Sequence, residues 1–267
     1  MNTPTATRFS LYALLLGLSS LGFSQTSLDE LHIVTDTVST LPATIGSTYS
    51  SDDEIISFDL NTSTATSATD LGGLVQAGID GFHRSGDGCG DAIYSLDTTT
   101  MIAGTAMRPA DVFTAAGVKI LNADSAGIPA GVNVDAVSRE ATSCDLVISI
   151  DTTAMLNSIA FRPDDLISWN SIDGFGLYQA TALNVNIDAL HLLSANRALL
   201  SVDVASALPD VTGFDEDVFE VQTSGTALQL ISFQPALSNV SWQAADLNAL
   251  WALPTPIVES IFSDSFE

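Results

Sequence analysis

The chain repeats itself at intervals of roughly 53 residues, and a period of that length constrains architecture before any local pattern does. Ser95-Leu96-Asp97 is followed, fourteen residues after its aspartate, by Asp111 within Arg108-Pro109-Ala110-Asp111-Val112-Phe113. Ser149-Ile150-Asp151 has Asp165 at the same distance, within Arg162-Pro163-Asp164-Asp165-Leu166-Ile167. Val202-Asp203 has Asp217, within Phe214-Asp215-Glu216-Asp217-Val218-Phe219.

Each unit reads as a series of short strands. The first carries an acid: Gly78-Ile79-Asp80-Gly81-Phe82, Asn133-Val134-Asp135-Ala136-Val137 and Asn186-Ile187-Asp188-Ala189-Leu190. These runs are β-compatible and too short for a helix. A polar turn follows, then a second strand rich in Leu, Ile and Val over residues 92–96, 146–150 and 198–202. A third begins at Val112, Leu166 and Val218, and a fourth is predicted over 117–121, 176–179 and 228–233. Four short antiparallel strands at this period are the grammar of a propeller blade.

The two ends of the chain are complementary. Asp36-Thr37-Val38-Ser39-Thr40-Leu41-Pro42 parallels Asp203-Val204-Ala205-Ser206-Ala207-Leu208-Pro209, so the N-terminal unit is entered at its second strand. Its first strand is supplied by Asp246-Leu247-Asn248-Ala249-Leu250-Trp251-Ala252-Leu253, which matches Asn186 to Leu193 with Asn248 in the Asp188 position. A ring needs such an arrangement, because pairing the ends covers strand edges that an open stack leaves bare. The expected fold is all-β, a four-bladed β-propeller with units at 31–74 closed by 244–253, then 76–131, 132–185 and 186–241. A β-sandwich is the alternative, but it does not explain the complementary ends.

Residues 1–24 are predicted to be a secretory signal peptide. A polar stretch with one positive charge precedes the apolar run Phe9 to Phe23, and Gly22-Phe23-Ser24 has small residues at the cleavage positions. The propeller domain is then 25–253, and 254–267 is a spacer and tail. Seven basic residues stand against 32 acidic ones, a net charge of -25, with Lys119 the single lysine. That balance argues against nucleic acid and anionic membranes as partners. No segment after the signal reaches about 18 apolar residues, so no transmembrane span is expected. An exported chain with two cysteines favours a disulfide, and Cys89 and Cys144 fall in the same loop of successive units. A bridge and two free thiols both remain open at this point.

Two rings of acids are implied: Asp80, Asp135 and Asp188 with Asn248, and Asp36, Asp97, Asp151 and Asp203. Oxygen-only ligands suit Ca2+, and the second ring is the metal site expected here. The plainer reading is that each Asp accepts backbone N–H bonds and fixes its own turn. Asp87, in the turn 85–89, is a lone acid and a weak ligand candidate. Arg108 and Arg162 would either clamp an anion or pair with neighbouring Asp residues. His83 and His191 each follow an acid by three residues, with Ser138 and Trp251 at the matching positions. Across a four-bladed ring they would face each other, as an acid/base or metal pair or as packed side chains. His32 has no counterpart. No nucleophile elbow, P-loop, dinucleotide fingerprint or zinc-type Cys/His cluster is present. Asn61-Thr62-Ser63 and Asn239-Val240-Ser241 match the glycosylation pattern.

After Leu253 come Pro254 and Pro256, which mark a spacer. The ending Ile261-Phe262-Ser263-Asp264-Ser265-Phe266-Glu267 resembles the Asp-Gly-Phe-Glu tails of exported proteins of Gram-negative bacteria, with Ser265 in place of Gly. With its Ile-Asp-Ala-Leu and Ser-x-Asp strands, the chain is similar to uncharacterised secreted repeat proteins with such tails. The resemblance implies a secreted or periplasmic location, with surface retention through the tail, and brings no activity. The function expected is a non-catalytic binding or scaffold protein with an extracellular ligand or protein partner and a divalent cation. The alternative is an extracellular hydrolase or lyase with an acidic active site, and a third reading is a structural surface protein. Evenly repeated, turn-bonded acids would favour the scaffold, and non-repeating polar residues gathered on one face would favour the enzyme.

Overall fold

The computed structural model describes residues 28–35, 39–40, 49–50, 55–59, 64–68, 78–84, 88–204, 206–208, 211–215, 217–222, 227–231 and 247–254. The first unit contains β1 (Leu28–Thr35), β2 (Ser39–Thr40), β3 (Tyr49–Ser50), β4 (Ile55–Asp59) and β5 (Thr64–Ala68). The second has β6 (Ile79–His83), β7 (Ile93–Leu96), β8 (Thr100–Ile102), β9 (Thr105–Met107), β10 (Val112–Thr114) and β11 (Lys119–Leu121), then the single-turn helix α1 (Ala123–Ala126). The third has β12 (Ala136–Arg139), β13 (Leu146–Ser149), β14 (Ala154–Leu156), β15 (Ile159–Phe161), β16 (Asp165–Asn170) and β17 (Gly174–Ala180). The fourth has β18 (Ile187–Ser194), β19 (Arg197–Val202), β20 (Ser206–Leu208), β21 (Val211–Gly213), β22 (Val218–Gln222) and β23 (Ala227–Ile231), and β24 (Leu247–Pro254) ends the described chain.

The protein is all-β. Each unit forms one antiparallel four-stranded sheet: β24-β1-β4-β5 (sheet I), β6-β7-β10-β11 (sheet II), β12-β13-β16-β17 (sheet III) and β18-β19-β22-β23 (sheet IV). The first and last described strands meet in sheet I, where β1 pairs with β24 from Leu28 opposite Pro254 to Thr35 opposite Leu247. Between the second and third strand of every sheet stands a two-stranded hairpin, β2-β3, β8-β9, β14-β15 or β20-β21. Those hairpins are absent from the sequence reading. Their strands are only two or three residues long, below the length at which alternation becomes legible. The turns of β8-β9 and β14-β15 put two successive residues at positive φ, Ala103 and Gly104, then Asn157 and Ser158, as the tightest hairpin connection requires.

Burial explains the strand order. The second strands β7 and β13 are wholly buried, whereas the outer strand β17 alternates between core and solvent. Among the described residues four apolar clusters form the core, one at each seam between sheets. Ile93, Val112 and Leu121 meet Val137, Ile148 and Ile167 between sheets II and III. Val147 and Leu166 meet Leu190, Leu200 and Phe219 between III and IV. Leu199 and Val218 meet Leu31, Ile33 and Leu250 between IV and I, and Val34, Ile55 and Trp251 meet Phe82, Tyr94 and Phe113 between I and II. The first strands pack accordingly, β6 on β12, β12 on β18, β18 on β24 and β24 on β6. This approach demands a small residue after each acid: Gly81, Ala136, Ala189 and Ala249, all buried. A Cβ on Gly81 would stand 2.7 Å from Val137 Cγ1 and 2.9 Å from its backbone nitrogen.

Candidate functional site

The four first strands present two sets of side chains, three residues apart and so separated by about 10 Å of strand. One set is Asp80, Asp135, Asp188 and Asn248, which together line a single cavity of about 180 Å³. The ladder explains why they turn inward. In β6 the pairing to β7 jumps from Ile79 to Gly81, in β18 the pairing to β19 jumps from Ile187 to Ala189, and β24 skips Asn248 against β1. Asp80, Asp188 and Asn248 are therefore the unpaired residues of β-bulges, a device that re-aims a side chain.

A belt of carboxamides joins these acids. Asn133 Nδ2 donates to Asp80 Oδ2 at 2.5 Å and to Asp135 Oδ1 at 2.9 Å. Asn186 Nδ2 donates to Asp135 Oδ2 at 2.7 Å and to Asp188 Oδ1 at 2.8 Å. Each asparagine thus binds the acid of its own sheet and that of the preceding one. Gly78 stands in the asparagine position of sheet II, and the carboxylate of Asp97 lies 3.0 Å from where its Cβ would be. Sequence reasoning passed over Asn133 and Asn186 as site residues. The usable signal was their recurrence two residues before the acid, a spacing that puts both on one face of an extended strand.

Burial dominates the electrostatics of this cup. It pushes the Asp80 carboxyl up to about 8, opposed by the Asn133 hydrogen bond and reinforced by Asp135, Asp97 and Asp151. Burial likewise raises Asp135 to about 7, against the hydrogen bond from Asn186 and with Asp151 and Asp203 adding repulsion. The cup therefore holds protons near neutral pH.

The residues of the other expected ring tie strands together. The N–H of Asp97 donates to Gly78 C=O (3.0 Å), that of Asp151 to Asn133 C=O (3.3 Å) and that of Asp203 to Asn186 C=O (3.4 Å). Asp151 Oδ1 also accepts from the Asn133 N–H at 2.9 Å. Asp203 is raised by burial. Asp36 lies outside the described residues, as do Asp87, both glycosylation patterns, residues 1–24 and the tail from Thr255. Among the described residues no group of three or more His, Cys, Asp or Glu side chains converges closely enough to hold a metal ion directly.

The aspartates fourteen residues later close turns. Asp111, Asp165 and Asp217 each accept, through Oδ2, the backbone N–H three residues earlier, from Arg108 (2.7 Å), Arg162 (2.8 Å) and Phe214 (3.1 Å). The arginines pair with acids of their own repeat units, Arg108 with Asp124 of α1 and Arg162 with Asp164 at 3.1 Å. Cys89 and Cys144 are joined by a disulfide with Cα atoms 5.3 Å apart, tying the first turns of sheets II and III.

The second set, His83, Ser138, His191 and Trp251, is buried and fills the centre beyond the cup. The rings of His83 and His191 stand 6.0 Å apart, and His191 lies 5.6 Å from Trp251. Ser138 Oγ is 3.4 Å from His83 Nδ1 and accepts the Leu192 N–H at 3.0 Å. His32, unmatched in the repeat, packs edge-on to Trp251 at 5.1 Å. Arg84 lies over the Trp251 ring at 5.2 Å, and its Nη1 is 2.8 Å from His32 Nε2 and 3.2 Å from Glu30 Oε2. Burial lowers His32, with Glu30 opposing and Arg84 assisting. His32 Nε2 also stands 3.0 Å from Glu30 Oε1, so the tautomer decides whether it accepts from Arg84 or donates to Glu30. Burial works to raise Glu30, but the hydrogen bond from Ser57 (2.7 Å), with His32 and Arg84 beside it, holds its carboxyl below the usual range.

Comparison with protein-family models gives no match, and comparison with curated proteins gives none. Among solved structures, the extracellular domain of a candidate one component system, BT4673, from B. thetaiotaomicron is similar at 12% identity and a TM-score of 0.29. The alignment covers 72% of this chain and 21% of that one, so the chain spans about a fifth of its length. Among the described residues no helix is long and apolar enough to cross a membrane.

Proposed function

We propose that the chain is an exported four-bladed β-propeller, a non-catalytic binding scaffold whose acidic cup seats a divalent cation together with its bound waters. The blade reading draws support from four four-stranded sheets, a core cluster at each seam and the pairing of β1 with β24. Export and kinship with secreted repeat proteins remain part of the proposal, and the Cys89–Cys144 bridge suits an oxidising compartment. The observation that carries the cation is the convergence of Asp80, Asp135, Asp188 and Asn248 on one cavity. Its volume of about 180 Å³ equals roughly six waters at ~30 Å³ each. An ion that keeps its waters is held by carboxylates without direct bonds from three of them, as Mg2+ tolerates readily and Ca2+ more loosely.

Cation entry favours the ionised carboxyls, so binding releases protons from Asp80 and Asp135. Calorimetry with Ca2+ and Mg2+ in two buffers of different ionisation heat should show about one to two protons released per ion at pH 7, and tighter binding at pH 8.5 than at pH 6. Asp80→Asn with Asp135→Asn should abolish the heat. An unmodified protein that gives no heat and no melting shift with either ion overturns the reading.

The enzyme reading has one observation in its favour. Glu30, His32, Ser57 and Arg84 are polar residues gathered at the end opposite the cup, although only His32 lacks a like residue at its repeat position. They satisfy one another's hydrogen bonds, however, and Ser57 and His32 are buried. The binding reading is the one the geometry favours.

A further inference from the structure

Resting on the cup as a seat for positive charge, we propose that the surface around it docks a partner polypeptide that presents a basic side chain flanked by apolar ones. A groove of about 450 Å³ lies in the seam between sheets II and III, lined by Asp97, Thr99, Arg108, Asn133 and Asp151 among others. Asn133 belongs to both places: it lines the groove, while its Nδ2 binds the cup acids Asp80 and Asp135. Asn133 therefore stands between the groove and the cup. The groove's sign is negative, because Asp97 and Asp151 are exposed whereas the guanidinium of Arg108 is paired with Asp124.

The hairpins of these two sheets begin three residues beyond Asp97 and Asp151, at the groove's edge. One face of each is core: Ile102 and Met107 in β8-β9, Leu156 and Phe161 in β14-β15. The opposite face is apolar too, yet exposed, with Met101 at 65% opposite Ala106 and Met155 at 58% opposite Ala160. Water-facing hairpin positions ordinarily alternate to polar residues. The matching positions of the other two hairpins, four residues after Asp36 and Asp203, are Thr40 and Ala207. Exposed methionines thus stand on the two hairpins that flank the groove. Methionine adapts to varied apolar surfaces and recurs at binding faces that accept several partners. A lysine fits the combination well, its stem along apolar surface and its ammonium among carboxylates. With 32 acids against 7 bases, the long-range field also steers toward basic partners.

The test uses the disulfide-bonded protein and two labelled hexapeptides, one with a single lysine among leucines and glycines, the other with glutamine in its place. At about 0.15 M salt the lysine peptide should bind at least roughly tenfold more tightly by fluorescence anisotropy. Met101→Ser with Met155→Ser should weaken it about tenfold while Ca2+ or Mg2+ calorimetry stays unchanged, and Asp151→Asn should weaken it similarly. Neutralising the remote acid Asp173 should leave it intact. Equal binding of both peptides, no effect of the methionine pair, or equal loss from Asp173→Asn overturns the docking surface. Ions that bind when neither peptide does overturn it as well and leave the cup reading standing.

Discussion

The two ends of the molecule's centre are fastened by different means. At the cup end the fastening is periodic: the asparagine recurs in sheets III and IV, a bulged Asp or Asn in sheets I, II and IV, and the backbone tie in sheets II, III and IV. At the far end it is singular, with one disulfide, one tryptophan under one arginine, and three histidines of which two share a repeat position. The periodic end leaves a cavity and the singular end fills its space. Repetition builds a wall of like charges that cannot pack on itself, whereas unlike side chains can interlock. The contrast also separates two stability regimes, since the cup gains from protons and the plug loses by them.

The largest effect should come from emptying the plug. Trp251 is buried against His32 and His191, with Arg84 across its face. Trp251→Ala should cost about 3–5 kcal/mol by urea denaturation, the range for a large aromatic removed from a core. A loss below about 1 kcal/mol would mean that the far end is no more tightly filled than the cup.

Neutralising the cup should act in the opposite direction. With Asp80 near 8 when folded and 3.8 unfolded, the native state holds a proton that the unfolded chain releases between those values. Stability from this group is full below the unfolded value and is lost as pH rises through about 8. Asp80→Asn removes that loss, so the variant should exceed the unmodified protein by about 1–3 kcal/mol at pH 8.5, with the difference shrinking toward pH 5. Melting curves across that range give the sign directly. A variant less stable at every pH would show that the carboxylate is stabilised there in its charged form.

Much of this division was legible in the residues. The period, the acid in each first strand and the complementary ends all come from spacing, and strand pairing preserves spacing. The face-to-face placement of His83 and His191 was legible for the same reason, as both sit three residues past a repeated acid. The hairpins were not, because a three-residue strand such as Thr100–Ile102 carries no periodicity to read. The pairing of Glu30 and Arg84 was equally hidden, since residues 54 apart in sequence meet only through the seam between sheets I and II. Nor could composition say which acids would face inward. That depends on bulges at Asp80, Asp188 and Asn248, and a bulge has no residue signature here beyond the small residue that follows it.

The smallest predicted effect tests the opposing regime at the plug. His32 is lowered from 6.5 by burial, so the unfolded chain takes up a proton before the native one does. Stability from this group is complete above about 6.5 and falls as pH drops through the unfolded value toward the folded one. His32→Gln keeps an acceptor for Arg84 and removes the titration. Its stability at pH 8 should stay within about 1 kcal/mol of the unmodified protein, and the fall between pH 6.5 and pH 5 should shrink by a similar amount. Because the cup gains over this same interval, the unmodified protein should show a shallow maximum in melting temperature on the acid side of neutrality. The glutamine variant should move that maximum to lower pH and Asp80→Asn should move it to higher pH. If both substitutions shift it the same way, the two ends are not separate titrating units, and the contrast between a periodic cup and a singular plug fails as an account of the pH response.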